Sequence, residues 1–523
     1  MSDNSKSKSK SLPTDITSLH EMVLSQAEQI EKLENTLRML QRQLFGPKSE
    51  KRPVDSRQGW LFEQDAPAAE EPKERTTTVF EHKRKANRGR KPLPTNLPRI
   101  EKVIDLSDEE KQCACGSALN SIGEEISERL DVVPAKIQVV RTIRIKYACP
   151  GCQGTEDEAP TVRIAPPAAH ILPKGNATEN TIAHIIVSKF CDALPLYRQE
   201  KIFKRHNIHL ARTTMVDWLL KVSEQLQPII NLIHEEVRSG LCIQVDETTL
   251  QVFGESGKTN KSKSYMWVYR GGPPERPAVL YHYDPSREHT VPLEFLQDYG
   301  GYVQTDGYCG YDWIDNETHL IHLGCMAHIR RGFYTAAEAI KNVNPTSANS
   351  AQEALDYIGK LYEVEAKARK NGLSAAEVYE ARQQLAKPIL DDFKAWLDEK
   401  GNATNPKGLL GKAVSYALGQ WPRAIRYIEN GHLHIDNNWV ENAIRPFVIG
   451  RKNWMFAASP RGAEASGNFY TLIENAKLCN LNPYAYLCHL LEQLPKAKTA
   501  EQYLALVPQH LDPQLLSAGN SMA

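Results

Sequence analysis

Two short apolar runs rich in β-branched residues, each delivering an aspartate, constrain this chain more than any other feature: Leu241-Cys-Ile-Gln-Val-Asp246-Glu-Thr-Thr-Leu250 and Gly301-Tyr-Val-Gln-Thr-Asp306-Gly-Tyr308. Runs of this length and composition read as strands that bring Asp246 and Asp306 to their ends. A later segment, Asp436-Asn-Asn-Trp-Val-Glu441-Asn-Ala-Ile-Arg445-Pro446, opens with residues suited to capping a helix and carries Glu441 one turn in. Between the aspartates the pattern predicts strands at 264–270 and 277–283 and a helix at 290–299, and a further strand follows at 319–324.

Three carboxylates from two strands and a helix can converge on divalent metal. Hard oxygen ligands suit magnesium or manganese, and two such ions about 4 Å apart clamp the attacking and leaving oxygens of a phosphoryl displacement. Spacing alone does not select this reading, because the chain holds 64 acidic residues and an Asp at a strand end is commonly a turn or cap residue. The order of elements adds the missing weight. Three antiparallel-type strands, a helix, a strand ending in Asp and a later helix bearing Glu make the order of a ribonuclease H-like nucleotidyltransferase core. The 135 positions between Asp306 and Glu441 (441 − 306) are too many for a simple connection, and the helical pattern of 352–370 and 375–399 marks residues 336–424 as an all-α insertion.

At 523 residues the chain has material for three or more domains. Its 64 basic residues balance its 64 acidic ones, so no global field announces nucleic acid. The distribution is uneven: residues 81–102 hold eight Lys or Arg against two Glu, whereas 61–74 hold five acids against one Lys. No run of eighteen apolar residues occurs and the start lacks the apolar centre of a signal peptide, so a soluble, cytoplasmic protein without a membrane partner is expected. In that reducing setting the ten cysteines argue for free thiols or metal binding over disulfides.

Residues 1–50 comprise a Ser- and Lys-rich start and a heptad seam. Ile16, Val23, Ile30, Leu37 and Leu44 fall seven apart, with Leu19, Leu33 and Leu40 on a second row. The 3.5-residue period favours a coiled coil joining copies into a homodimer or higher oligomer; a helix packed on its own chain is the competing reading. Residues 51–102 read as a linker, acidic and then basic, whose Arg88, Arg90 and Lys91 suit either DNA phosphates and an A·T-rich minor groove or plain solvation. In 103–165, Cys113, Cys115, Cys149 and Cys152 form two close thiol pairs able to hold a structural zinc ion around a strand-rich stretch at 134–147.

Residues 166–232 carry three helical patterns, at 176–193, 196–206 and 211–227, the last two joined by a short turn. With Arg198, Lys201, Lys204, Arg205 and Arg212 on them, this is the layout of a helix-turn-helix reader of double-stranded DNA that presents Arg212, Thr213 and Thr214 to base edges; a structural three-helix bundle fits as well. The catalytic fold then occupies 233–335, pauses for the 336–424 insertion and resumes at 425–468, before a C-terminal helical module at 469–523. Cys325 and His328 with Arg330 and Arg331 open a helix. Lacking a second Cys-x-x-His half, His328 and the arginines suit substrate phosphates or bracing of the carboxylates, and Arg445, one turn past Glu441, suits the same work.

The motifs Val245-Asp246-Glu-Thr, Gln304-Thr-Asp306-Gly-Tyr-Cys-Gly-Tyr311, Gly324-Cys-Met-Ala-His328-Ile-Arg-Arg-Gly-Phe333, the Asp436 to Pro446 run and Leu44-Phe-Gly-Pro-Lys-Ser-Glu50 resemble the insertion-sequence-66 family of bacterial transposases over nearly the whole chain. That resemblance implies a DDE enzyme that cuts and joins DNA through Asp246, Asp306 and Glu441, a zinc-finger-like segment at the paired cysteines, and accessory proteins of the same mobile element. A ribonuclease H-like nuclease without joining activity and a non-catalytic DNA-binding regulator are the alternatives from other classes.

Overall fold

In the computed structural model, the residues whose structure is described are 76–79, 82–85, 137–148, 162–173, 175–343 and 350–518. The heptad seam, the four paired cysteines and Arg88, Arg90 and Lys91 lie outside them. All described residues belong to one compact unit, Gln64–Ala523.

A five-stranded sheet forms the centre. β1 (Cys242–Gln251), β2 (Lys263–Gly271) and β3 (Ala278–Asp284) run as an antiparallel meander, and β4 (Gly301–Gln304) and β5 (Leu320–Leu323) add parallel to β1 on its other side, giving the order β3-β2-β1-β4-β5. Central β1 is buried at Ile243, Gln244, Val245 and Leu250, and half-buried from Asp246 to Thr249. Asp246 is not at its end as the sequence suggested. β2 pairs with Gln244 through Gln251, so the strand runs on past the aspartate.

Four helices precede the sheet: α1 (Glu179–Phe190), α2 (Leu196–Arg205), α3 (Arg212–Gln225) and α4 (Gln227–Arg238). The first is capped by Thr178, whose side chain accepts from the Thr181 amide. A short α5 (Thr290–Phe295) links β3 to β4, and α6 (Met326–Val343) follows β5. The insertion is helical as expected, with α7 (Ser350–Lys370), α8 (Ala375–Ala381), a π-turn at Arg382–Ala386, α9 (Lys387–Ala403) and α10 (Leu409–Ala424). The chain then returns as α11 (Asn438–Trp454), which carries Glu441, followed by α12 (Pro460–Leu478) and α13 (Pro483–Gln493).

Burial sorts these elements into two cores. One joins α1 to α4, the sheet, α11, α12 and α13; Ile186, Trp218, Ile233, Val268, Phe447, Tyr470 and Leu487 all belong to it. The other lies between α6 and the insertion helices and contains Phe333, Ile358, Phe393, Trp421 and Tyr427.

Outside these cores the pattern overpredicted regular structure in one place and underpredicted it in another. Among the described residues of this stretch, read as strand-rich over 134–147, pairing is confined to Lys146–Ala148, with Val162–Ile164. The β-branched residues before it have no described partner strand, and Val139 is 94% exposed. Conversely, inside the stretch read as a linker, Thr76–Val79 and His82–Lys85 pair antiparallel.

Candidate active site

The aspartates are placed by register. β1 and β4 pair in parallel with Gln244 opposite Gln304, and Asp246 and Asp306 each lie two residues further on. Neighbouring strands stand about 4.8 Å apart, so equal offsets bring the two residues to the same end of this strand pair. Asp246 has its Oδ1 on the Glu247 amide at 2.9 Å, and Asp306 its Oδ1 on the Tyr308 amide at 2.9 Å, which turns the chain just beyond β4.

What draws Glu441 to them is a pair of buried glutamines that sequence reasoning passed over. Gln244 and Gln304 are 3% and 0% exposed. The Gln244 amide nitrogen donates to Gln304 Oε1 at 2.8 Å and to the Asp436 carbonyl at 3.1 Å, while its Oε1 accepts from the Val440 amide at 3.0 Å. Gln304 donates to the Gly324 and His434 carbonyls at 3.0 and 2.9 Å. These bonds tie both aspartate strands to the start of α11. The signal was present in the sequence: each aspartate follows a Gln by two positions inside an otherwise apolar run, and a buried amide at a repeated offset needs partners.

The expected side-chain cap of α11 is absent at its N-cap residue Asn437. Asp436 instead closes a turn by accepting from the Asn438 amide at 3.2 Å and binds the Tyr362 hydroxyl of α7 at 2.7 Å. Glu441, with its side chain 17% exposed, faces α6: His328 Nε2 is 3.6 Å and Arg331 Nη2 3.7 Å from its Oε1. Burial lowers the His328 imidazole from its ordinary value, against the pull of Glu441. Arg330, by contrast, lies over the Tyr334 ring at 5.8 Å, and Arg445 is exposed on α11. Cys325 is buried, with its Sγ accepting from the Asn437 amide at 3.4 Å; burial pushes its thiol up, as suits a core residue and not a ligand.

Glu247, next to Asp246 but on the opposite face of β1, has a different fate. Its carboxylate is buried, takes Arg287 Nε at 2.6 Å, and is bound by the Tyr311 hydroxyl. Arg287 in turn stacks 3.6 Å from the centre of the Tyr308 ring. Glu247 is therefore paired in place and, through Arg287, supports the turn after Asp306. From the insertion, Tyr416 lies so close to Gly307 that a Cβ there would stand 2.3 Å from its hydroxyl, so any side chain after Asp306 would displace the Tyr416 ring. Burial, followed by the Asp306 charge, pushes the Tyr416 phenol up to about 12.

Burial and then the charges of Glu247, Asp306 and Glu441 hold the Asp246 carboxyl well above its ordinary range. Among the described residues no three His, Cys, Asp or Glu side chains stand at metal-sharing distance, since Glu441 is turned toward His328 and Arg331. The donor set nevertheless fits a hard divalent cation. Two adjacent carboxylates and a third one helix away are oxygen ligands whose mutual repulsion such an ion would offset.

Away from the acids, α2 and α3 present the basic face expected of them. Arg198, Lys201, Lys204, Arg205, Arg212 and Thr213 are exposed and Thr214 is half-buried. Arg198 and Lys201 flank the exposed Tyr197 ring at 5.7 and 6.0 Å. Asn207, in the left-handed region at φ 59°, makes the turn between the helices. Among the described residues no helix is long and apolar enough to cross a membrane.

Comparison with known proteins places this architecture. The pattern of the transposase IS66 family matches residues 174–465, that of the zinc-finger binding domain of transposase IS66 matches 110–153, and the IS66 C-terminal element matches 471–509. A pattern described as transposase C of IS166 homeodomain matches 32–101. Two uncharacterized proteins of Sinorhizobium fredii are similar along most of their length. Protein y4qI is 32% identical over 508 residues, 94% of this chain and 90% of the relative. Protein y4jD is 34% identical over 431 residues, 80% and 81% of the two chains. The chain belongs to the IS66 family of transposases.

Proposed function

We propose that the protein binds the ends of its own mobile element and catalyses metal-dependent cleavage and strand transfer of DNA in the bacterial cytoplasm. The sheet order, with its antiparallel meander and two parallel additions, supports a ribonuclease H-like core. The observation that carries the reading is the equal offset of Asp246 and Asp306 on paired parallel strands, tied by Gln244 and Gln304 to the helix of Glu441.

Asp246, Asp306 and Glu441 would hold two magnesium or manganese ions. Bound there, the ions supply charge stabilisation at the phosphodiester and activate the attacking water or 3′-hydroxyl. His328 and Arg331 position Glu441, and the exposed Arg331 guanidinium is placed to meet a phosphate beside the acids. The basic face of α2 and α3 binds double-stranded DNA, and Cys113, Cys115, Cys149 and Cys152 hold a structural zinc ion within the zinc-finger match. The heptad seam joins copies so that two ends are processed together.

The test is strand transfer by Asp246→Asn, which keeps shape and removes charge. A loss of about a thousandfold or more is expected while DNA binding stays intact. A variant that joins a labelled element end to target DNA at near wild-type rate rules this site out.

A further inference from the structure

The C-terminal end of the Glu441 helix carries a strained, solvent-facing apolar tip that the acid site does not use. Met455, the residue after α11, has φ 68° and ψ −48°, and the Phe456 amide donates to the Trp454 carbonyl across it at 2.9 Å. This is a γ-turn of positive φ, a rare and strained conformation for a residue with a side chain. It places the Met455 side chain in solvent, 68% exposed, beside Phe456, 41% exposed. Strain and exposed apolar surface both count against the folded chain, and here the protein has them at one point.

The tip is firmly mounted. Phe456 stacks on Phe253 with ring centres 4.3 Å apart. The Ala457 amide donates to the Gln251 carbonyl at 2.9 Å and the Phe253 amide to the Ala457 carbonyl at 3.0 Å. The tip is thus held both by the strand that bears Asp246 and by the helix that bears Glu441. An exposed cation, Lys452, stands three residues before the tip. At 100° per residue, Glu441, Arg445 and Lys452 fall within about 40° of one line along α11, and Met455 follows directly on its last turn. Arg445 and Lys452 are exposed on that line.

We infer that Met455, backed by Phe456, is a wedge that enters the base stack of duplex DNA lying along this stripe. The inference rests on the transposase reading, and the charge of the flanking Arg and Lys residues selects DNA as the occupant. Apolar side chains pushed between base steps from a cationic surface are an established way for proteins to unstack and kink a duplex. Fourteen residues of helix separate Glu441 from Met455 (455 − 441), a rise of about 21 Å. At about 3.4 Å per base pair, the opened step lies roughly six base pairs from the phosphate at the acids.

The experiment uses the full chain and short duplexes carrying the outermost sequence of the DNA element that encodes it, with 2-aminopurine moved along one position at a time. Fluorescence should rise several-fold where the step opens, roughly six base pairs from the cleaved bond. Met455→Gly, which suits the positive φ and removes the wedge, should abolish the rise and weaken binding roughly tenfold, with Tm unchanged or raised. Met455→Ala with Phe456→Ala should do the same. Fluorescence that is flat at every position in a chain that transfers strands overturns the wedge and leaves the transposase reading standing. A Met455→Gly variant that keeps the rise also overturns it, as does one that loses self-association with its DNA signal intact, which would assign the tip to a second copy of the chain. The transposase reading fails separately, if the wild-type chain transfers no strands or Asp246→Asn transfers them as well as wild type.

Discussion

The sheet core and the insertion core meet at the acid site and act on it by different means. In the sheet, Asp246 is set by backbone register, which many hydrogen bonds share, and Asp306 follows two residues after the last registered pair of β1 and β4. In the insertion, the segment leading to Glu441 is held by a few side chains. Arg382, at the π-turn, pairs in two-pronged fashion with Glu365 at 2.8 and 2.8 Å and donates to the carbonyls of Tyr427, Asn430 and Leu433 at 2.8, 2.6 and 2.8 Å. Tyr362 fixes Asp436. One half of the site is thus redundant in its support, and the other hangs on a small number of buried polar groups.

The largest expected effect tests that second half. Arg382→Met leaves Glu365 buried without its cation and three carbonyls without a donor, a loss of about 3–5 kcal/mol. Urea unfolding followed by tryptophan fluorescence should show the insertion melting ahead of the sheet, and strand transfer should fall with it. A single transition at the wild-type midpoint would mean that the insertion does not depend on Arg382.

Gln244→Leu probes the junction between the halves. It deprives the Val440 amide and the Asp436 carbonyl of their partner, at a cost of about 2–3 kcal/mol. Because the bonds lost run to the segment entering α11 and to Gln304, and the backbone ladder of the sheet is untouched, strand transfer should drop roughly a hundredfold while DNA affinity is kept, as for other losses of positioning. Equal loss of binding and transfer would show that the glutamine supports the fold as a whole.

The smallest effect is a pH dependence from the sheet edge. His322 of β5 is wholly buried, with Nε2 2.8 Å from the Thr305 hydroxyl, and burial followed by the Arg423 charge pushes its imidazole down to about 4 from 6.5. Between those values the unfolded chain takes up a proton that the folded chain refuses. Stability is therefore full above pH 6.5 and declines as pH falls toward 4, with a slope of at most about 1.4 kcal/mol per pH unit from this group. His322→Gln should flatten the acid limb of a stability profile taken from pH 7 to pH 4, and an unchanged limb would place the acid sensitivity elsewhere.

Much of the sheet was legible because its strands are marked by local composition: those expected at 264–270, 277–283 and 319–324 appear within a residue or two of their observed bounds. The helices at 375–399 were legible as one run, but Arg382 interrupts them with a π-turn because its guanidinium must reach Glu365 and the returning loop. Asp246 and Asp306 stood out by sequence, and Glu441 by its helix start. The roles of Gln244, Gln304, Tyr362 and Tyr416 did not, since their partners lie far along the chain, 196 positions away for Gln244 and Val440 and 74 for Tyr362 and Asp436, where local pattern carries no information.

By itself the sequence determined the type of most elements of the sheet and of the helical stretch between Asp306 and Glu441, since periodicity, capping residues and turn formers act over a few residues. Only the tertiary structure decided that helices read as a separate DNA-binding module share one core with the sheet and the C-terminal helices, as Trp218, Val268 and Leu487 do. It alone decided that Glu247 turns away to Arg287 while Asp246 faces Asp306 and Glu441. The reason is that apolar burial is non-directional and joins whatever faces fit, whereas a buried amide or carboxylate must find a partner of fixed geometry, and those partners are brought into reach only when the chain has folded.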